Sequence, residues 1–251
     1  MTIPPNALFD VPAPPPPPPP PVARLLTLAG EYTRHNDSLD ILDSSAPELG
    51  DFAQSAERLA SETTAAITAV AGMGLFDHAD LTAALVRLKQ VAYLADAASR
   101  HEVVASRVLT AFAPEAVVGS AARIAAHMRR RRSGHAPEPD DRLDVVRQTA
   151  LHEIALGHVV TTSSQGRGYV HSAGARVLIG TLRSLEGSGL AERVPESAPP
   201  AYVGGGCQDR VRLSTAGAIA LATVIGMPPA TRDPGPAPAH ASATKTAPRS
   251  R

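Results

Sequence analysis

Residues 12–21 contain eight consecutive prolines, and no other feature limits the chain more sharply. Each pyrrolidine ring holds φ near the polyproline value and removes a backbone donor, so the run cannot join a helix interior or a sheet. It extends instead as polyproline II, and at ~3.1 Å per residue eight prolines reach about 25 Å. Residues 1–21 therefore read as a disordered, proline-rich arm, a solvated spacer in preference to a docking peptide for a proline-reading groove. Residues 228–251 form a second disordered segment, in which Pro, Ala, Ser and Thr surround Lys245, Arg249 and Arg251. Large apolar groups are too few there to offset the entropy of ordering.

The 251 residues allow one large domain or two small ones, and the pattern divides them in two. Formal charge is zero, so no bulk field draws the chain to nucleic acid or an anionic membrane, and any polyanion site must be local. Cys207 is the single cysteine, which excludes an internal disulfide and any multi-cysteine zinc site. Residues 1–10 lack the basic and apolar regions of a signal peptide. No stretch approaches the ~20 apolar residues of a membrane span, so the expectation is a cytoplasmic protein with no membrane partner.

Residues 22–132 carry helical periodicity. Leu49, Phe52, Ala56, Leu59, Thr63, Ile67 and Val70 recur at steps of three and four, placing them on one face of a helix that ends at Gly72. Asp77 suits a helix N-cap, and Leu81, Leu85, Leu88, Ala92 and Ala95 continue as a stripe that can run to Phe112. Pro114 and Glu115 suit the first turn of a further helix through Val118, Ala122, Ala125 and Ala126, and residues 22–36 supply a short first one. Four helices imply a bundle. Its alanine-rich seam buries little area per residue, so homodimerisation through these helices is an expectation.

Arg129, Arg130, Arg131 and Arg132 close the last of these helices, and residues 133–139 read as a linker. Cations at a helix C-terminus are favoured by the macrodipole and can also grip phosphate, which makes the run an accessory basic patch. Residues 23–128 hold eight basic and thirteen acidic groups, so folding back onto that acidic surface is the favoured use of the run.

Residues 140–227 form the second unit. Leu143, Val146, Ala150 and Ile154 space a helix that Gly157 closes, and the β-favouring runs 159–162 and 169–171 read as a hairpin. Ser172 can cap a helix in which Leu178, Leu182 and Leu185 face the core while Arg176 and Arg183 line the other side. Residues 190–194 then read as a strand, 195–208 as a Pro- and Gly-rich loop, 209–213 as a return strand with Val211 and Leu213 inward and Arg210 and Arg212 outward, and 215–225 as an apolar helix.

The order, with Leu-Arg-Ser-Leu-Glu-Gly-Ser-Gly-Leu-Ala-Glu-Arg at 182–193 followed by Asp-Arg-Val-Arg-Leu-Ser-Thr-Ala-Gly at 209–217, resembles the second half of MarR-like winged-helix regulators. The likeness covers residues 175–221. It implies a recognition helix, a two-stranded wing, Gly189 at the turn and Gly217 where the last helix starts. It also implies double-stranded DNA as partner, with Arg176 and Arg183 reading base edges and Arg193, Arg210 and Arg212 gripping phosphates. Where such proteins place a second helix, residues 157–174 show no helical period, and residues 140–226 hold eight basic and eight acidic groups. Winged helices also serve as adaptors, so a protein partner is the alternative.

No catalytic, metal or cofactor constellation stands out. His152 and Glu153 invite a zinc-protease reading, but His158 follows six positions later, about 120° round a helix of 3.6 residues per turn. Glu153 reads as a solvated neighbour of a partly exposed histidine. Gly204, Gly205 and Gly206 lack the strand and helix context of a phosphate loop, and Cys207 lacks a partner. The sequence thus describes a mainly α protein, a helical bundle followed by an α+β winged-helix-like domain. Its expected role is DNA-binding, with a non-catalytic adaptor as the alternative.

Overall fold

The computed structural model describes residues 19–42, 50–75, 78–131, 140–164 and 167–227. The expectations for residues 1–18 and 228–251, the cap at Asp77, Arg132 and the linker 133–139 lie outside them. Helix α1 spans Pro21–Leu42, α2 Gly50–Ala71, α3 Ala79–Ala98, α4 Val103–Thr110 and α5 Ala113–Arg131. Then follow α6 (Val145–Ala155), β1 (Val159–Ser164), β2 (Arg167–Ser172), α7 (Ile179–Gly187), β3 (Ala191–Ala198), β4 (Gln208–Leu213) and α8 (Thr215–Val224). The fold is mostly helical, with one antiparallel sheet ordered β2-β1-β4-β3.

Pro21 opens α1 rather than ending the arm, because a first-turn residue needs neither a free N–H nor a flexible φ. The first helix is also longer than the expected 22–36. Apolar spacing fails after Tyr32, yet Thr33, His35, Asn36 and Asp37 are all buried. Thr33 bonds the Ala29 carbonyl one turn back, while the other three find partners that the linear pattern does not show. Asn36 donates from Nδ2 to the Thr110 carbonyl at 3.0 Å and accepts from Thr110 Oγ1 at 2.7 Å, and His35 Nδ1 lies 3.1 Å from Ser55 Oγ.

The α2 stripe lies as expected, with Ala56, Leu59, Thr63 and Val70 buried. The next helix does not run to Phe112. It ends at Ala98, the turn through Ser99 redirects the chain, and α4 is a separate short helix, giving five helices among the described residues where four were expected. Its observed cap is His78, whose side chain accepts from the Asp80 N–H. Against the expectation that no stretch is apolar enough to span a membrane, residues Val103–Arg131 include a window of mean hydropathy 1.3 that is long enough by composition. Half of that window is buried inside the fold, where α4 and α5 pack on α1 and α3.

Helix α1 is the centre of the molecule. It packs against α2, α4 and α5 and also against α6, α8, β3 and β4, so one apolar cluster runs from Val22, Leu25 and Leu26 to Leu185, Leu190, Val211 and Ile225. In the second unit α6 is rotated from the expected register: Val146 is exposed, and Leu151 joins Ala150 and Ile154 inside. The helix expected from Ser172 begins at Ile179. Ser172 Oγ accepts from the Val177 N–H at 3.4 Å within the preceding loop, Val177 takes the buried position, and Leu178 is 52% exposed. Strand β3 continues through Pro195 to Ala198, which was expected to lie in the loop. The register shift between Val194 and Ala198, with Glu196 at φ 53°, accommodates the extra residues.

Two glycines are required where they stand. Gly189 adopts φ +69° at the turn into β3. At Gly217 a Cβ would lie 1.8 Å from the Leu190 carbonyl oxygen, the same carbonyl that accepts the Ser214 N–H. Gly217→Ala should lose about 1–3 kcal/mol in urea unfolding through overpacking. Gly119→Ala in α5, where a Cβ meets nothing within 4 Å, should gain about 0.5–1 kcal/mol through helix propensity.

A pH test concerns His35. Burial, with Arg107 and Arg58 adding to it, pushes the imidazole down to about 4. Its folded value therefore lies below its unfolded one, so the unfolded chain binds the extra proton between pH ~6.5 and ~4. The stability is present above that window and is lost as pH falls through it, on the order of 3 kcal/mol. Unfolding free energies measured from pH 7 to 4 should fall steeply in the native chain, and His35→Gln should flatten that slope by up to one proton.

Candidate functional site

The surface singled out by sequence comprises α7, the β3–β4 ribbon and the arginine run ending α5. In β4 the alternation is as expected, but the outer face is not solvent. Helix α1 covers it, and this overturns the outward placement of Arg210. Arg210 is 9% exposed. It donates from Nε to Asp37 Oδ2 at 2.9 Å, from Nη2 to Asp37 Oδ1 at 2.5 Å and from Nη1 to the Gly157 carbonyl at 2.6 Å. The fork-to-carboxylate geometry joins β4 to α1 and to the end of α6.

Arg212, two residues on, also turns toward α1. It is half-buried beside Arg34, and its Nε is shielded from water with no hydrogen-bond acceptor among the described residues. Loss of hydration lowers its guanidinium pKa, and Arg34 adds to that effect. Arg193 stays at the surface but is held by Glu186 of α7, with Nε at 3.1 Å and Nη2 at 3.0 Å from Oε1. Arg183, on α7, and Arg176, in the loop before it, are exposed. Neither makes an ion pair among the described residues. Of the five arginines, these two are both exposed and without an ion pair among the described residues.

The accessory patch is engaged internally as well. Arg129 donates from Nη1 to the Thr223 carbonyl at 3.2 Å and from Nη2 to the Ile225 carbonyl, capping the carbonyl end of α8 as a cation should. Arg130 reaches Asp80 at 3.1 Å, and Arg131 donates to the Gly74 carbonyl.

The loop that joins β3 to β4 departs from a phosphate-gripping wing. Residues 199–207 contain no charged side chain, and they present Tyr202 at 73% and Val203 at 103% exposure. Glu196 and Asp209 flank them, joined by a 3.0 Å hydrogen bond from the Glu196 N–H to Asp209 Oδ1. Cys207 is exposed.

Glu153 is not solvated. It is 7% exposed, its Oε2 lies 2.9 Å from His158 Nδ1, and His158 Nε2 is 3.6 Å from Glu115 Oε1 of α5. The imidazole thus stands between two carboxylates and links α6 to α5. The loop after β2 closes over Glu153, where a Cβ on Gly174 would lie 2.5 Å from its Oε2. His78 and His127, 49 positions apart in the sequence, meet with ring centroids 5.3 Å apart. Among the described residues no three His, Cys, Asp or Glu side chains are grouped to hold a metal ion.

Compared with family models, with curated proteins and with solved structures, the chain shows no match.

The buried pair gives a quantitative test. Burial raises the Asp37 carboxyl pKa, and the hydrogen bonds and charge of Arg210 oppose that rise. Asp37→Ala strands the guanidinium and should cost about 3–5 kcal/mol in urea unfolding. The double variant Asp37→Leu, Arg210→Met should lose less than either single change, since no buried charge is left unpaired.

Proposed function

We propose that the chain is a non-catalytic recognition protein, and that α7 and the β3–β4 ribbon engage a protein partner as an adaptor. The order α6, β1, α7, β3, β4, with β1 beside β4 in the sheet, is compatible with a winged-helix arrangement in which β2 stands where a second helix is usual. The observation that carries the adaptor reading is the uncharged tip of the ribbon. A wing that holds a DNA backbone needs cations to displace condensed counterions. This one offers Tyr202 and Val203, side chains of the kind that bury apolar area against another protein. Arg210 is spent on Asp37 and Arg193 on Glu186, so the ribbon has little positive field to offer.

The exposed, unpaired Arg176 and Arg183 favour a second reading, duplex DNA, in which the α7 segment meets a groove. The full chain and its Tyr202→Ser, Val203→Ser variant discriminate between the two. Under the adaptor reading, fluorescence anisotropy with mixed-sequence duplex shows no binding that weakens as salt rises. Crosslinking in cells of the source organism then gives discrete protein adducts that the double variant loses. Binding to duplex that falls with salt, and falls again in Arg176→Ala and Arg183→Ala, would transfer the assignment to DNA.

A further inference from the structure

The structure assigns a second site, away from the tip of the ribbon: we propose that the cleft between α1 and the β4–α8 corner binds a small oxyanion, a carboxylate or a phosphate ester, through Arg212 and Arg34. The cleft encloses about 460 Å³, within the range of pockets that hold metabolites. Its walls include Gly30 and Arg34 of α1, Glu192 of β3, Arg212 of β4, and Ser214 and Thr215 at the start of α8. A Cβ on Gly30 would meet nothing within 4 Å, so the α1 wall is open at that point.

Arg212 anchors the site. Its side chain lines the cleft, and its Nε, removed from water, donates to nothing among the described residues, so its charge is poorly compensated unless an anion meets the rest of the guanidinium. Its charged surroundings do not supply one. Arg34 and Arg210 share its sign, and the two acids that attract it are Asp37 and Glu31. Asp37 already accepts two bonds from Arg210. Glu31 is divided between Arg34 at 2.8 Å and Arg58 at 3.6 Å. Glu192 lies across the strand pair from Arg212 but forms no ion pair with it among the described residues. A guanidinium that lacks a counter-ion and faces a second guanidinium across a cleft is suited to an anion with several oxygens.

The α8 terminus adds to this field. Ser214 Oγ accepts the Gly217 N–H at 3.0 Å, and the remaining amides of the first turn carry the positive end of the helix dipole toward the same cleft. Glu192 also lines the cleft, where its carboxylate can accept from a ligand hydroxyl or ammonium. The favoured ligand is therefore a small oxyanion that also bears a donor group. Because α1 forms one wall and β4 with α8 the other, the ligand would bridge the helical bundle and the sheet.

Isothermal titration and thermal unfolding of the full chain test the site with two probes, inorganic phosphate and succinate, at ionic strength matched with sodium chloride. At least one probe should bind saturably and raise Tm above the chloride baseline. A response to phosphate alone identifies the phosphate class, and a response to succinate alone the carboxylate class. Arg212→Leu should weaken binding at least tenfold while leaving the unliganded Tm equal to or above that of the native chain, since a stranded charge is removed. Arg34→Gln, at a side chain 49% exposed, should also weaken it severalfold. Failure of both probes to bind, or binding unchanged in Arg212→Leu and Arg34→Gln, would overturn the proposal. So would a fall in the unliganded Tm of Arg212→Leu with no probe response in the native chain, which would make Arg212 a structural residue.

Discussion

The ion pair between Asp37 and Arg210 is the interaction on which the rest of the structure depends. A carboxylate 4% exposed and a guanidinium 9% exposed are tolerated only because the fork geometry satisfies both carboxylate oxygens, and the Gly157 carbonyl takes a further N–H. These three groups come from α1, β4 and the end of α6, so their meeting specifies how the bundle sits on the sheet. Apolar contacts alone would hold α1 against β4 less selectively, because a greasy surface admits many sliding positions. The neighbouring bonds of Asn36 with Thr110 and of His35 with Ser55 extend the same polar seam toward α4 and α2.

That seam has consequences at the surface. A cation already held by a partner within the fold is less available to a ligand outside, and several arginines are engaged in this way. Arg210 serves α1, Arg129 caps α8 and Arg193 is fixed by Glu186. The ribbon is left with an uncharged tip and acidic flanks, the chemistry on which the proposed adaptor role rests. Arg212 differs from the others because it enters the same interface without a carboxylate to itself among the described residues, its Nε shielded from water and without an acceptor.

A single core shared by the two halves also bears on how they act. Helix α1 touches both, and the apolar cluster crosses from one to the other without a break. The His158 contacts with Glu153 and Glu115 add a second tie between α6 and α5. The described parts of the two halves are therefore joined by packed side chains. Residues 132–139, where composition suggests a boundary, lie between two elements that both pack on α1.

Local physics made part of this legible in the sequence. Periodicity located α2 and the start of α5, the β-branched runs gave β1 and β2, and the leucine, glycine and alternation signals of 182–217 placed the end of α7, the turn at Gly189, the ribbon and the close approach at Gly217. Each of these depends on residues a few positions apart, so a one-dimensional pattern carries it. The inward turn of Arg210, the length of α1, the burial of Glu153 and the meeting of His78 with His127 were not legible. They join residues that are distant along the chain, 173 positions apart for Asp37 and Arg210. Alternation along β4 marks two faces, but only the packing of α1 decides that the polar face is also covered, and so converts an arginine suited to solvent into the buried half of an ion pair.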